Sequence, residues 1–195
     1  MFVIGGYDEE KKMYSDMIYE IQLHFPFNTK VLAKLPSPRL IEGCGVVLSN
    51  DKILIFGGGD GWDEVTAKVT MYDITKNEFK ELAPLPYKVC NMATVKCGEN
   101  VILAGGSNEP ILVNAKKTVV SYNTETQKST MLPPMKHGRF ECCAVVDGHS
   151  IVVMGGYGQD GTPLSSVEAF DFKTSKWSKL PSMKEARRGF IAEIV

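Results

Sequence analysis

The chain has 195 residues, 44% of them hydrophobic and 23% charged, and its 22 Lys and Arg against 23 Asp and Glu leave a net charge of −1. That length holds one domain or a short array of repeats with a real core, and the near-neutral balance lacks the cationic surplus that gathers nucleic acid or an anionic membrane surface. No apolar run approaches the roughly 18 residues of a membrane helix and no basic-then-apolar leader precedes the first apolar run; five cysteines, an odd number with no secreted disulfide framework among them, make a reducing cytoplasm the expected setting.

The 18 Gly and 10 Pro punctuate short Val- and Ile-rich runs, which predicts strands throughout and an all-β fold. In chain order, the first unit (1–39) opens inside a strand, FVIGG ending at Gly6, runs on to Tyr19-Glu20 and closes at a Leu35-Pro36 turn. The second (40–87) has a small-residue strand at Gly43-Cys44-Gly45, then ILIFGG ending at Gly58, the pair Tyr72-Asp73, Phe79 and a Leu82 turn. The third (88–138) repeats this as Met92-Ala93, VILAGG ending at Gly106, Tyr122-Asn123, Ser129 and Leu132. The fourth (139–186) gives Cys143-Ala144, IVVMGG ending at Gly156, Phe170-Asp171, Trp177 and Leu180. Residues 187–195, with Ile191-Ala192, read as the first strand of another unit or as a seam strand.

A period of about fifty residues is the mark of a repeat architecture. Each unit reads as four short antiparallel strands, and one such sheet cannot bury both its faces, so neighbouring units must stack, as in a β-propeller. Small residues suit the first strands, crowded near the axis, and the double glycine ends the second strand where the chain turns sharply. Phe79 and Trp177 are expected to fill the space between blades.

The double glycine with spaced Tyr and Trp resembles the kelch repeat over essentially the whole chain, with Ser129 and Leu32 standing where the repeat has Trp. The resemblance implies an all-β, kelch-type β-propeller with four recognisable blades of four antiparallel strands. They form part of a larger ring, or a closed four-bladed ring if 187–195 pairs with the first unit. In style the chain is most similar to the animal BTB–kelch proteins.

Signals for chemistry are sparse. His24, His137 and His149 fall by repeat position on an outer hairpin, a loop of the opposite face and a first-to-second-strand turn, so they do not converge. The five cysteines, Cys44, Cys90, Cys97, Cys142 and Cys143, include no C-x-x-C pair, and four lie in or beside first strands. That pattern suits small core residues better than zinc or a disulfide framework. The run Gly57–Asp63 has neither the Lys-Ser/Thr helix of a phosphate loop nor the spaced acids of a calcium loop. No catalytic residue, metal or cofactor is expected. Some kelch propellers are enzymes: the histidine placement argues against the copper-radical type, while a sialic acid mutarotase, which needs only a small pocket of Arg and Glu, stays as an alternative.

In a kelch blade the loops after the double glycine and after the outer strand open on one face. There the chain places Tyr7, Asp8 and Glu9, then Asp60, Trp62 and Asp63, then Ser107, Asn108 and Glu109, then Tyr157, Gln159 and Asp160. From the outer-strand side come Arg39, Lys88, His137, Arg139, Arg187 and Arg188. Aromatics and arginines on a rigid concave scaffold make up protein-binding hot spots. Arg39, Arg139 and Arg187 have a second reading, bracing the turn through backbone carbonyls, whereas no repeat position demands Trp62. The expectation is a non-catalytic protein–protein interaction module that takes a peptide or loop of a client, with no nucleic acid and no membrane. The BTB–kelch resemblance implies client recognition for a cullin-RING ubiquitin ligase held by domains outside these residues. A cytoskeletal scaffold that binds actin through blade sides is the other alternative.

Overall fold

The structure, a computed structural model, describes residues 1–36, 44–49, 51–59, 64–109 and 114–194, with the backbone alone for 7, 8, 13, 14 and 44–49. Strands are numbered in chain order. Three sheets are complete four-stranded meanders: β6 (Cys44–Ser49) to β9 (Glu78–Leu82), with β7 (Lys52–Phe56) and β8 (Val69–Asp73) between them; β10 (Ala93–Cys97), β11 (Asn100–Ala104), β12 (Val119–Asn123) and β13 (Ser129–Leu132); and β14 (Cys143–Asp147), β15 (Ser150–Met154), β16 (Val167–Asp171) and β17 (Lys176–Leu180). A leading sheet has three strands, β1 (Phe2–Ile4), β4 (Met17–Gln22) and β5 (Asn28–Lys34), with a short hairpin of β2 (Tyr7–Asp8) and β3 (Met13–Tyr14) beside it. The described residues contain no helix, so none is long and apolar enough to cross a membrane.

The sheets stack as propeller blades. The first strands of successive complete sheets are neighbours, β10 lying between β6 and β14. Three apolar clusters fill the spaces between consecutive sheets. Ile18 and Leu35 meet Ile53, Ile55 and Tyr72; Leu54, Phe56 and Val69 meet Val101, Leu103 and Tyr122; Ile102, Ala104 and Val119 meet Ile151, Val153 and Phe170. The strands β7, β11 and β15 read as continuous apolar runs because each is covered on both faces, one face per neighbouring blade.

The double glycine is the seam between blades. The N–H of Gly58 donates to the Val89 carbonyl at 2.9 Å, Gly106 to Arg139 at 2.8 Å and Gly156 to Arg187 at 2.9 Å, so each blade's second strand ends against the crossover that enters the next blade's first strand. At Gly105, φ is +73° and a Cβ would collide with the Arg139 carbonyl oxygen. Gly105→Ala is therefore expected to cost about 1–3 kcal/mol, from the left-handed backbone and the lost approach together; an unchanged urea midpoint would contradict this seam. A second set of bonds runs from blade to blade beside it: the Glu141 N–H donates to Asn91 at 2.8 Å and the Gly189 N–H to Glu141 at 3.0 Å, all three residues having positive φ.

The outer strands lock the same junctions differently. Trp177 packs on Phe170, with ring centroids 5.3 Å apart, and its indole N–H donates to the Pro133 carbonyl of the preceding blade at 2.7 Å. Ser129 holds the matching position one blade earlier, and there Tyr122 substitutes. Its hydroxyl donates to Ala83 at 3.1 Å, while the Gln127 side-chain oxygen accepts from the Ala83 N–H at 3.0 Å. Phe79 stacks on Tyr72 at 4.7 Å, beside Leu32, on the cluster that joins the first two sheets.

Two sequence expectations are corrected. Tyr19-Glu20 is not the counterpart of Tyr72-Asp73. Val3 pairs with Tyr19 as Ile55 pairs with Thr70, so Tyr19 stands two places earlier in the repeat, and the pairing of β4 with β5 shifts register beside it, between Ile18 and Tyr19. Likewise, residues 187–194 carry no strand, and β1 pairs only with β4 among the described residues, so the strand expected from 187 onward is not formed over 187–194.

Candidate functional site

The loops after the second and fourth strands open on one face, as expected of the repeat. They are stitched together by isolated bridges between Cys90 and Ser107 and between Phe140 and Tyr157. Two grooves lie there, each between neighbouring blades. One, of about 380 Å³, is lined by Tyr87, Lys88, Asn108, Lys116 and Thr118. The other, of about 290 Å³, has Lys117, Lys136 and His137 on one side and Gln159, Asp160 and Leu164 on the other. Lys116 and Lys117 are adjacent on the extended segment entering β12, so their side chains diverge and one serves each groove. Burial pushes the Tyr87 hydroxyl up to about 12, so that it stays protonated. Two hydrogen bonds from Thr162, at 3.1 and 2.7 Å, hold the Asp160 carboxyl below its usual range.

The second groove rests on a buried ion pair. Arg139 and Glu168 are both 0% exposed. One guanidinium nitrogen donates to the carbonyls of Gly155 at 2.8 Å and Ser166 at 3.1 Å; the other donates to Ser166 Oγ at 3.1 Å and Glu168 Oε1 at 2.8 Å. Glu168 also accepts the backbone N–H groups of Lys136 at 2.7 Å and His137 at 3.1 Å, and its Oε1 lies 2.9 Å from His137 Nδ1. Burial pushes its carboxyl up, but the Lys136 N–H, the Arg139 guanidinium and the His137 ring outweigh that and hold it below the usual carboxylate range. The arrangement orients the exposed imidazole: Nδ1–H is spent on the buried carboxylate and Nε2 is left for the groove.

Nearer the axis, Tyr157 lies between Phe140, 5.2 Å away, and the Arg188 guanidinium, 4.8 Å above its ring. Arg188 donates to Glu141 at 2.7 Å, and that carboxylate raises its already high pKa. Arg187 is exposed and paired with Glu185 at 3.1 Å.

The structure thus brings His137 together with Gln159 and Asp160, Lys88 with Asn108, and Tyr157 with Arg188. It takes two expected partner-binding residues out of reach. Arg139 is sealed inside the junction, where it braces backbone carbonyls and neutralises Glu168. Ser107 is 0% exposed, its hydroxyl donating to the Glu109 carbonyl and accepting the Glu109 N–H. Tyr7 and Asp8 lie in β2, described as backbone only, while Arg39, Asp60, Trp62 and Asp63 lie outside the described residues. The repeat alignment missed Lys116, Lys117 and Lys136; the Lys116-Lys117 doublet beside a proline-turn lysine was the signal available. His24 and His149 sit on the hairpins of the opposite face, β4–β5 and β14–β15, away from His137. Among the described residues, no group of three or more His, Cys, Asp or Glu could hold a metal.

Comparisons with known proteins match this architecture. A Kelch motif family model matches residues 42–86 and 138–184. Kelch-like protein 40 of Xenopus laevis is 31% identical over 193 residues, covering 96% of this chain and 30% of the relative. Kelch-like protein 41a of Danio rerio is 30% identical over 194 residues, covering 96% and 31%. The chain therefore spans about a third of the length of these curated relatives. The solved structure of YjhT superposes with a TM-score of 0.75 at 18% identity, covering 89% of this chain and 61% of that one, which is a likeness of fold.

Proposed function

The chain belongs to the kelch-repeat proteins, related to the BTB–kelch group, and on that premise we propose that it is a protein–protein interaction module whose ligand docks on the face holding the two grooves. One observation carries the reading. Exposed side chains of mixed chemistry project from the crossovers (Lys88, His137 and Arg188) and from the loops after the double glycines (Asn108 and Gln159), and these segments are hydrogen-bonded to one another blade to blade, which makes a braced scaffold for them. The ligand we propose is an extended peptide or loop, its acids met by the lysines and Arg188 and its apolar anchor held by Tyr157 and Trp62, with Asp60 and Asp63 kept in the proposed surface. Tyr7, Asp8, Arg39 and Arg187 stay in the proposed surface; Ser107 and Arg139 leave it. By analogy with BTB–kelch proteins, the client would pass to a cullin-RING ubiquitin ligase in the cytoplasm through parts of a longer protein.

The test is selection of binding peptides from a random, unphosphorylated display library. Trp62→Ala and Arg188→Ala are each expected to weaken the selected peptides by more than about 1 kcal/mol without moving the melting temperature. Peptides that bind both variants as tightly as the parent chain would place the interaction elsewhere, on blade sides or the opposite face.

A further inference from the structure

We propose that the groove between the last two complete blades is a receptor for a phosphorylated serine or threonine of the partner protein; this rests on the interaction reading above and adds the chemistry of one contact. Three segments converge there. Lys117 comes from the stretch entering β12, Lys136 and His137 from the crossover after β13, and Gln159 and Asp160 from the loop after β15. Lys117 and Lys136 are exposed and have no ion-pair partner among the described residues. Asp160, the one acid in the lining, already spends a carboxylate oxygen on Thr162 twice, as an acceptor from its N–H and from its hydroxyl.

His137 makes this more than a cationic patch. Its Nδ1 and its backbone N–H are both held by Glu168, a carboxylate 0% exposed and itself clamped by Arg139. A surface imidazole ordinarily samples several rotamers, and this one is fixed with Nε2 toward the groove and a buried counter-charge behind it. In its imidazolium form the ring donates Nε2–H forward, with the Glu168 carboxylate as counter-charge behind it. Two ammonium groups and one such donor, approaching from two segments, match a tetrahedral group carrying about −1.5 to −2 charge and three acceptor oxygens better than a planar carboxylate of unit charge. Size points the same way. The groove, at about 290 Å³, is at the lower edge of the roughly 300–1,000 Å³ of small-molecule sites, so it suits one modified side chain on a longer ligand. The neighbouring groove holds Lys88 and Lys116 but no oriented imidazole, and serves as an internal control.

The experiment titrates the 195-residue chain with N-acetyl-phosphoserine amide, its unphosphorylated form and inorganic phosphate, followed by amide chemical shifts. Saturable shifts at His137, Gly138 and Gly158 are expected with the phosphoserine probe, none with the unphosphorylated one, and weaker binding of inorganic phosphate, which lacks the peptide contacts. The surface variant K117A/K136A should weaken the probe about tenfold or more, the loss of two charge-assisted contacts, and H137Q severalfold, while K88A should leave it unchanged. Shifts spread equally over both grooves, indifference to K117A/K136A, or inorganic phosphate binding better than phosphoserine would each overturn the inference. The interaction reading is judged separately: if library peptides still bind through Trp62 and Arg188 while the phosphoserine probe does not, this contact falls and the module stands.

Discussion

Replacing Arg139 by Met is expected to lower the unfolding free energy by about 3–5 kcal/mol, the range for leaving one member of a buried ion pair without its partner. The guanidinium leaves no easy substitute. It satisfies two carbonyls, a hydroxyl and a carboxylate inside the junction of the last two complete blades, and Met would strand Glu168 as a buried charge or force it to take up a proton. The chain contains its own control. At the preceding junction the equivalent position is Val89, which like Arg139 accepts the N–H of a double glycine, and the position of Glu168 is held by Val120, as the registers Leu103–Val120 and Val153–Glu168 show. The double variant R139V/E168V should therefore recover much of the stability lost by either single change, though Lys136 and His137 lose their acceptor. Urea titration of the three variants is the measurement, and single and double variants equally unstable would show that the pair does more than replace an apolar contact.

The same site sets an acid limb. Because the native carboxyl of Glu168 is held below its unfolded value, the stability it contributes is fully present above that unfolded value, near 4.5, and is lost as pH falls through the lowered native one. Glu168→Gln should flatten the fall in melting temperature below about pH 4.5, at the expense of stability at neutral pH.

Trp177→Ala is expected to cost about 3 kcal/mol, below the top of the range for a buried Trp because one edge of the ring stays in water. Two contributions separate. The ring covers Phe170 and the cluster shared by the last two complete blades, and the indole N–H ties β17 to Pro133. Trp177→Phe keeps most of the first and removes the second, so it should cost about 1 kcal/mol. Thermal unfolding of both variants decides: a Phe variant as unstable as the Ala variant would mean that the bond, not the packing, holds the outer strand. An Ala variant that melts like the parent would remove Trp177 from the junction altogether.

Much of the architecture was legible because it depends on residues close together in sequence. The double glycine, the aromatic beyond it and the leucine before each proline turn recur because every blade solves the same local problem, and period and strand order follow from that repetition. Where a blade departs from the repeat, sequence alone was a poorer guide. Ser129 reads as loosened outer packing, yet Tyr122 and Gln127 reach across to Ala83 and supply the inter-blade bonds that Trp177 provides one blade later. The alignment of Tyr19 with Tyr72 failed because distance along the chain from the double glycine does not fix strand register: Val3 pairs with Tyr19, whereas Ile55 pairs with Thr70.

The candidate site divides in the same way. That two sets of loops share a face, with Asn108, His137, Tyr157, Gln159 and Arg188 on it, follows from the repeat and was evident from the sequence. Which of the charged residues there can meet a ligand was not. Arg139 and Arg187 occupy equivalent positions and read alike, but Arg139 has a whole sheet packed over it and Arg187 is exposed. What the sequence determined by itself was the repeat, the strand pattern and the family. Only the tertiary structure decided that Glu168, an acid in an otherwise apolar strand, neutralises Arg139 and orients His137, because burial and charge pairing depend on which blade lies against which and leave no periodic trace in the chain.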